Sequence, residues 1–203
     1  NLAVLRDKLP NCPMVALTAT ASGKVRDDII EQLRLNDPYV FKGSSYRPNL
    51  KIVVLEKNKQ SPPVKESIVN IIKSHPGESG IVYVLSRKNV DSTTKYLLSQ
   101  GISAVGYHAG LEKAAREQIQ TQFKNDDVQV IVATIAFGMG IDKSNVRYVI
   151  HRDMPKSISG YIQEIGRAGR DGERSDCVLF YSWADVKILQ SFNDHVFGLQ
   201  NNS

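Results

Sequence analysis

Residues 81–87 read Ile-Val-Tyr-Val-Leu-Ser-Arg, and residues 128–134 read Val-Gln-Val-Ile-Val-Ala-Thr. Each is an apolar run of strand length that closes on a small hydroxyl residue. A strand with one face in water alternates apolar and polar side chains, and a strand covered on both faces does not. These two runs therefore read as interior strands of a parallel sheet. Working outward, residues 51–55, 103–107, 147–150 and 177–181 read as further strands. Helical spacing fills the gaps: Val64, Ile68, Ile71 and Ile72, then residues 87–99, then Leu111, Ala115, Ile119 and Phe123. Residues 157–168 and 184–192 read as two more helices. Strands alternating with helices predict an α/β fold, a parallel sheet with helices on both faces.

The segment before this pattern reads differently. Leu2, Leu5 and Leu9 share a helical face that Pro10 ends. Residues 14–17 read as a buried strand and residues 39–41 as a weak one, with a helix carrying Val25, Ile29 and Leu33 between them. Gly43-Ser-Ser-Tyr-Arg-Pro48 breaks the chain. Two short strands and two helices cannot enclose a core. Residues 1–45 are therefore expected to be the end of a domain whose bulk lies elsewhere, with an uncovered apolar face. Residues 46–197 are expected to be a whole domain, and 198–203 a frayed tail.

Composition narrows the class. Among 203 residues, 41% are hydrophobic and 23% charged, as in ordinary globular chains. No run approaches the length of a membrane span, so no membrane partner is expected. The two cysteines, Cys12 and Cys177, cannot make a four-cysteine zinc site, and they read as buried free thiols. The net charge of +5 permits a polyanionic partner without showing one.

Ligands of open parallel sheets bind beyond the carboxyl ends of the strands. One such end leads into Ser86-Arg87, another into His108-Ala109-Gly110, and a third into Thr134 and then Gly138-Met139-Gly140-Ile141-Asp142. The first two precede helix N-termini, whose backbone N–H groups favour phosphate. Three such places along one edge suit a phosphodiester backbone better than one small ligand. The plainer alternatives are a helix cap at Ser86, a turn residue at His108 and a strand-end hydroxyl at Thr134. Gly138-x-Gly140 is no dinucleotide fingerprint, because Lys143 stands where the third glycine belongs.

The most specific segment runs Tyr161-Ile-Gln-Glu-Ile-Gly-Arg-Ala-Gly-Arg-Asp-Gly172. On a helix Gln163, Arg167 and Arg170 would share a face. Gly166 and Gly169 would let another surface approach the arginines, whose guanidinium forks match phosphoryl oxygens. The alternative is a helix end with arginines matched to its dipole and a glycine stop.

These segments resemble a known set. Thr18-Ala-Thr20-Ala looks like helicase motif III, and residues 81–87 like motif IV. Residues 133–143 look like motif V and residues 163–170 like motif VI. Their order and the wording Ala-Phe-Gly-Met-Gly-Ile-Asp-Lys and Gly-Arg-Ala-Gly-Arg-Asp-Gly resemble RecQ-family DNA helicases of superfamily 2. The resemblance implies a RecA-like second lobe, preceded by the end of a first lobe. It implies DNA unwinding with 3′-to-5′ polarity driven by ATP and Mg²⁺. Arg170 would be the arginine finger on the γ-phosphate, with Arg167 and Gln163 as partners, and Asp142 would face the nucleotide or link it to motif VI. Ser86, Arg87, His108 and Thr134 would line a single-strand DNA track, and Thr18 and Thr20 would couple hydrolysis to lobe movement. Single-stranded and forked DNA and ATP are the implied partners. The location would be the nucleus, or the cytoplasm in a bacterium. No G-x-x-x-x-G-K-S/T loop and no D-E-x-H occur in the sequence. Both are expected upstream of residue 1, together with most ligands of Mg²⁺, and Zn²⁺ only in a region after residue 203. None of these 203 residues is expected to bind a metal, and the chain alone is expected to be inactive.

Overall fold

The computed structural model of the chain describes residues 3–18, 23–44, 46–58, 60–137, 142–187 and 189–190. It divides into two units, Asn1–Arg47 and Pro48–Ser203.

The first unit holds two helices, α1 (Ala3–Lys8) and α2 (Gly23–Gln32). The two strands expected here do not form: residues 14–17 and 39–41 are irregular. A strand exists only against a partner, and the described residues of this unit include none. Val15, Leu17, Tyr39 and Phe41 are exposed, and α2 buries no residue. Cys12 is exposed too, contrary to the expectation of two buried thiols, whereas Cys177 is buried.

The second unit alternates as its sequence predicts. In chain order it holds β1 (Leu50–Glu56), α3 (Val64–Lys73), β2 (Ser79–Tyr83) and α4 (Arg87–Ser99). Then come β3 (Ala104–Tyr107), α5 (Lys113–Lys124), β4 (Val130–Ala133), β5 (Val146–His151), α6 (Ile158–Ile165) and β6 (Ser175–Tyr181). The strands form one sheet in the order β1-β6-β5-β2-β4-β3, every pair parallel. All residues of β2 and β4 are buried. One face packs Ile68, Ile72, Val90 and Leu97 of α3 and α4 against Val82, Val132 and Ile150. The other packs Phe123 of α5 and Ile165 of α6 against Ile81, Ile131 and Val149. Two covered faces explain why the central strands are apolar throughout. Strand β1, at the edge, is half-buried at Leu50 and Val53 and exposed at its other positions.

One buried cation needs its own account. Lys143 is nearly inaccessible, and its Nζ lies 2.7 Å from Asp126 Oδ1, which also accepts from Ser79 Oγ at 2.7 Å. The Lys143 hydrogen bond, with that of Ser79, holds the Asp126 carboxyl below the usual carboxylate range. A carboxyl lowered on folding stabilises the fold above its unfolded pKa and loses that contribution as pH falls through the folded value. Asp126→Asn is therefore expected to cost about 1 kcal/mol at neutral pH, the carboxylate being half in solvent. That difference should shrink below about pH 4. Urea melts of both proteins from pH 7 to pH 2.5 check this, and a pH-independent difference would refute it.

Candidate nucleotide and nucleic-acid interface

The site forms at the carboxyl edge of the sheet. Strands β2, β4 and β3 are neighbours, with Tyr83 and Tyr107 both in register with Ala133. The residues just beyond these strand ends must therefore emerge side by side. Ser86 caps α4: its side chain accepts from Asn89 N at 3.2 Å, so the plainer role is real. Arg87 opens that helix. A Cβ placed on Gly110 would meet Arg87 Nη1 at 2.8 Å and His108 Nδ1 at 3.1 Å. The guanidinium and imidazole thus close over a residue that has no side chain. Gly110 N–H donates to His108 Nδ1 at 3.1 Å, which leaves the ring proton on Nε2. Thr134 is half-buried; its N–H reaches Tyr107 O at 3.3 Å, and its carbonyl accepts from Phe137 N at 3.0 Å. Arg87, His108 and Thr134 therefore stand on one edge, as their strand-end positions predict.

Asp153 holds this edge, and no sequence motif points to it. Its carboxylate accepts from Leu85 N at 3.0 Å and Asn89 Nδ2 at 3.4 Å, and it lies 3.5 Å from Lys57 Nζ. Lys57 also pairs with Asp185 at 2.9 Å. The chain leaving β2 is thereby tied to β1 and β5.

The arginine segment departs from the expected helix. Helix α6 ends at Ile165, with Gly166 as its cap, and Gly169 has φ +53. Arg167 and Arg170 lie in the turns beyond, so they do not share a helical face with Gln163. The i, i+4, i+7 spacing fits a helix, but a left-handed residue at 169 cannot continue one. Gln163 is exposed on α6. Arg170 Nη1 lies 3.4 Å from Asp142 Oδ1, and both side chains are accessible. Behind them Arg147 pairs with Asp171, where the turn leaves for β6.

Arg167 reaches inward. Its charge acts on the Tyr83 hydroxyl, which burial pushes well above the usual tyrosine range and which donates to the Phe137 carbonyl at 2.9 Å. Tyr83 stacks on His151 at 5.1 Å, and His151 Nε2 lies 2.6 Å from Glu164 Oε2, both buried. Sequence reasoning missed this cluster, because its members come from three elements without local spacing. Thr18 is exposed in the first unit. Thr20 and residues 138–141 lie outside the described residues.

A family model described as the helicase conserved C-terminal domain matches residues 64–172. The RecQ-like DNA helicase BLM of Xenopus laevis is 52% identical over 190 residues, which are 93% of this chain and 14% of that protein. The ATP-dependent DNA helicase RecQ of Pasteurella multocida is 48% identical over 188 residues, 93% of this chain and 29% of its own length. The chain thus spans less than a third of either relative. Among solved structures, S. cerevisiae Dbp5 bound to RNA and ADP BeF3 superposes with a TM-score of 0.73 at 20% identity. That match covers 97% of this chain and 52% of the other, and it shows the shared RecA-like fold.

Proposed function

Since the chain belongs to the helicase conserved C-terminal domain family and resembles RecQ helicases over most of its length, we propose that it is the second motor lobe of an ATP-dependent DNA helicase with 3′-to-5′ polarity. Residues 1–45 are then the end of the first lobe, residues 46–197 the second, and 198–203 a tail. The observation that carries the reading is the convergence of Arg87, His108 and Thr134 on one sheet edge. Guanidinium, imidazole and hydroxyl donors in a row suit successive phosphates of one strand. The track then runs along Ser86, Arg87, His108 and Thr134, and a second anion, the triphosphate, meets Arg167, Arg170 and Gln163.

Phosphoryl transfer asks the protein for position and for charge on the equatorial oxygens. Arg170 supplies that charge as the finger, while Asp142 steadies its guanidinium at 3.4 Å before the nucleotide engages. Arg167, its N–H on the Glu164 carbonyl at 3.2 Å, presents a second cationic donor, and Gln163 adds a neutral one. Mg²⁺ neutralises developing charge when bound with ATP. The side chains assigned to the triphosphate are mainly cationic, so its ligands are expected in the first lobe, where the phosphate loop and D-E-x-H motif would lie. Zinc is proposed only for a region after residue 203. Thr18 and Thr20 are proposed to couple hydrolysis to movement between lobes. The site of action is the nucleus in a eukaryote or the cytoplasm in a bacterium.

Unwinding of duplexes with single-stranded DNA tails tests the reading. The full-length protein is expected to open 3′-tailed and forked DNA with ATP, and to leave 5′-tailed DNA and matched RNA intact. The 203-residue chain alone is expected to show no DNA-stimulated ATP hydrolysis, because a finger without a held triphosphate has nothing to stabilise. Turnover by that chain, or equal activity on RNA, would overturn it.

A further inference from the structure

Helix α6 buries a carboxyl where a helix ordinarily buries an apolar side chain. Of its eight residues only Glu164 and Ile165 are buried, whereas Ile158 and Ile162 are exposed. The helix is therefore gripped at its last turn. There Glu164 Oε2 lies 2.6 Å from His151 Nε2, and the two residues are 7% and 1% exposed.

The imidazole is a fixed anchor. His151 ends β5, an interior strand, in register with Tyr83 of β2 and Leu179 of β6. Its ring stacks on Tyr83 with the planes 24° from parallel, and it packs edge-on with Tyr161 at 5.0 Å. Apolar packing holds a helix without fixing its rotation or its rise, because the hydrophobic effect has no direction. A short hydrogen bond has one, and a carboxyl buried without its partner is costly. The pair therefore selects one register of α6 on β5.

Through its backbone the same residue reaches the arginine segment. The Glu164 carbonyl accepts from Arg167 N–H at 3.2 Å, and the Ile165 carbonyl accepts from Ala168 N–H at 3.0 Å. We propose that Glu164 is a positioning residue for Arg167: its side chain, pinned to His151, sets where the Arg167 backbone stands, and so how squarely the guanidinium meets the triphosphate. This rests on the preceding reading, in which Arg167 meets the nucleotide. A guanidinium fork binds in a fixed direction, so a small displacement of its stem lowers the rate.

Glu164→Ala in the full-length protein removes the pin. Its kcat for ATP hydrolysis, at saturating ATP and DNA and well below the melting temperature, is expected to fall about tenfold or more. Glu164→Gln should stay within about threefold of wild type, because an amide can accept from the ring nitrogen or donate to it. Ile72→Ala, in the core on the other face of the sheet, controls for lost stability and should leave kcat unchanged. The double variant decides between positioning and mere support of the fold. Added to Arg167→Ala, Glu164→Ala should lower kcat by less than about a further twofold, since the residue it positions is gone. The proposal is overturned by an undiminished fall in that background, by an equal fall in Ile72→Ala, by a Glu164→Gln rate as low as that of Glu164→Ala, or by a wild-type rate in Glu164→Ala. Should Glu164→Ala not fold, Glu164→Met fills the space without the bond and carries the same expectation. Arg167→Ala at the wild-type rate would refute the place of Arg167 in the nucleotide site, and the proposal with it. A wild-type protein without ATP turnover would instead refute the helicase reading itself.

Discussion

Arg170→Ala in the full-length protein is expected to lower kcat for ATP hydrolysis by about 10³-fold or more, with much less effect on ATP affinity. The reason lies in where charge appears. The ground-state triphosphate is already paired with other cations, whereas the transferring phosphoryl group spreads new charge over its equatorial oxygens. A guanidinium placed there acts mainly on the transition state, so its loss shows in kcat. The Arg170–Asp142 pair leaves Asp142 91% and Arg170 36% exposed. Such a pair contributes at most about 1 kcal/mol, small beside what a triphosphate offers a guanidinium, so engaging nucleotide costs little. The same exposure separates catalysis from folding. Removal of an accessible side chain is expected to change stability by under about 0.5 kcal/mol, so the melting temperature should hold while kcat collapses. Arg170→Lys keeps the charge but loses the two-pronged geometry and should recover only a part of the rate. Steady-state kinetics with saturating DNA decide it; a kcat within about tenfold of wild type would remove Arg170 from the finger role.

Legibility in the sequence differs from element to element. Strands β2 and β4 are legible because burial on both faces leaves an uninterrupted apolar run, and α4 begins and ends at the residues its pattern indicates. The strand-end residues are legible for the same reason: in a parallel sheet, the position of each strand fixes the position of the loop at its carboxyl end. Residues 14–17 and 39–41 fail, because an apolar run records a wish for burial and only a neighbouring strand can satisfy it as a sheet. The Tyr83–His151–Glu164–Arg167 cluster leaves no trace. Its contacts span elements whose order in the sheet, β5 beside β2, is not the order in the chain. Lys143 reads as the end of a motif, and the structure shows it also as a buried cation answered by Asp126.

The glycines around the arginines read as openings for another surface, and Gly169 shows a different use. Its φ is +53, and a Cβ there would meet Asn49 Nδ2 at 2.6 Å, the Glu173 carbonyl at 2.6 Å and Ser175 Oγ at 2.7 Å. None of the three can retreat cheaply. Asn49 Nδ2 donates to the Gly169 and Glu173 carbonyls, both at 2.9 Å, and Ser175 Oγ donates to the Val146 carbonyl at 3.1 Å. Gly169 N–H goes to that Val146 carbonyl too, at 2.9 Å. The turn is thus laced to the starts of β1, β5 and β6, and it delivers Arg170 from a fixed base. Gly169→Ala is expected to cost about 3 kcal/mol, from left-handed strain and overpacking together. For a domain of this size that lowers Tm by about 6–12 °C. Gly172 supplies the comparison, with φ +89 and nothing within 4 Å of a new Cβ. Gly172→Ala should therefore carry the strain alone, about 1 kcal/mol. Thermal melts of the two variants separate the contributions. Equal losses would mean that the turn needs only the left-handed conformation, and that the space around Gly169 can yield.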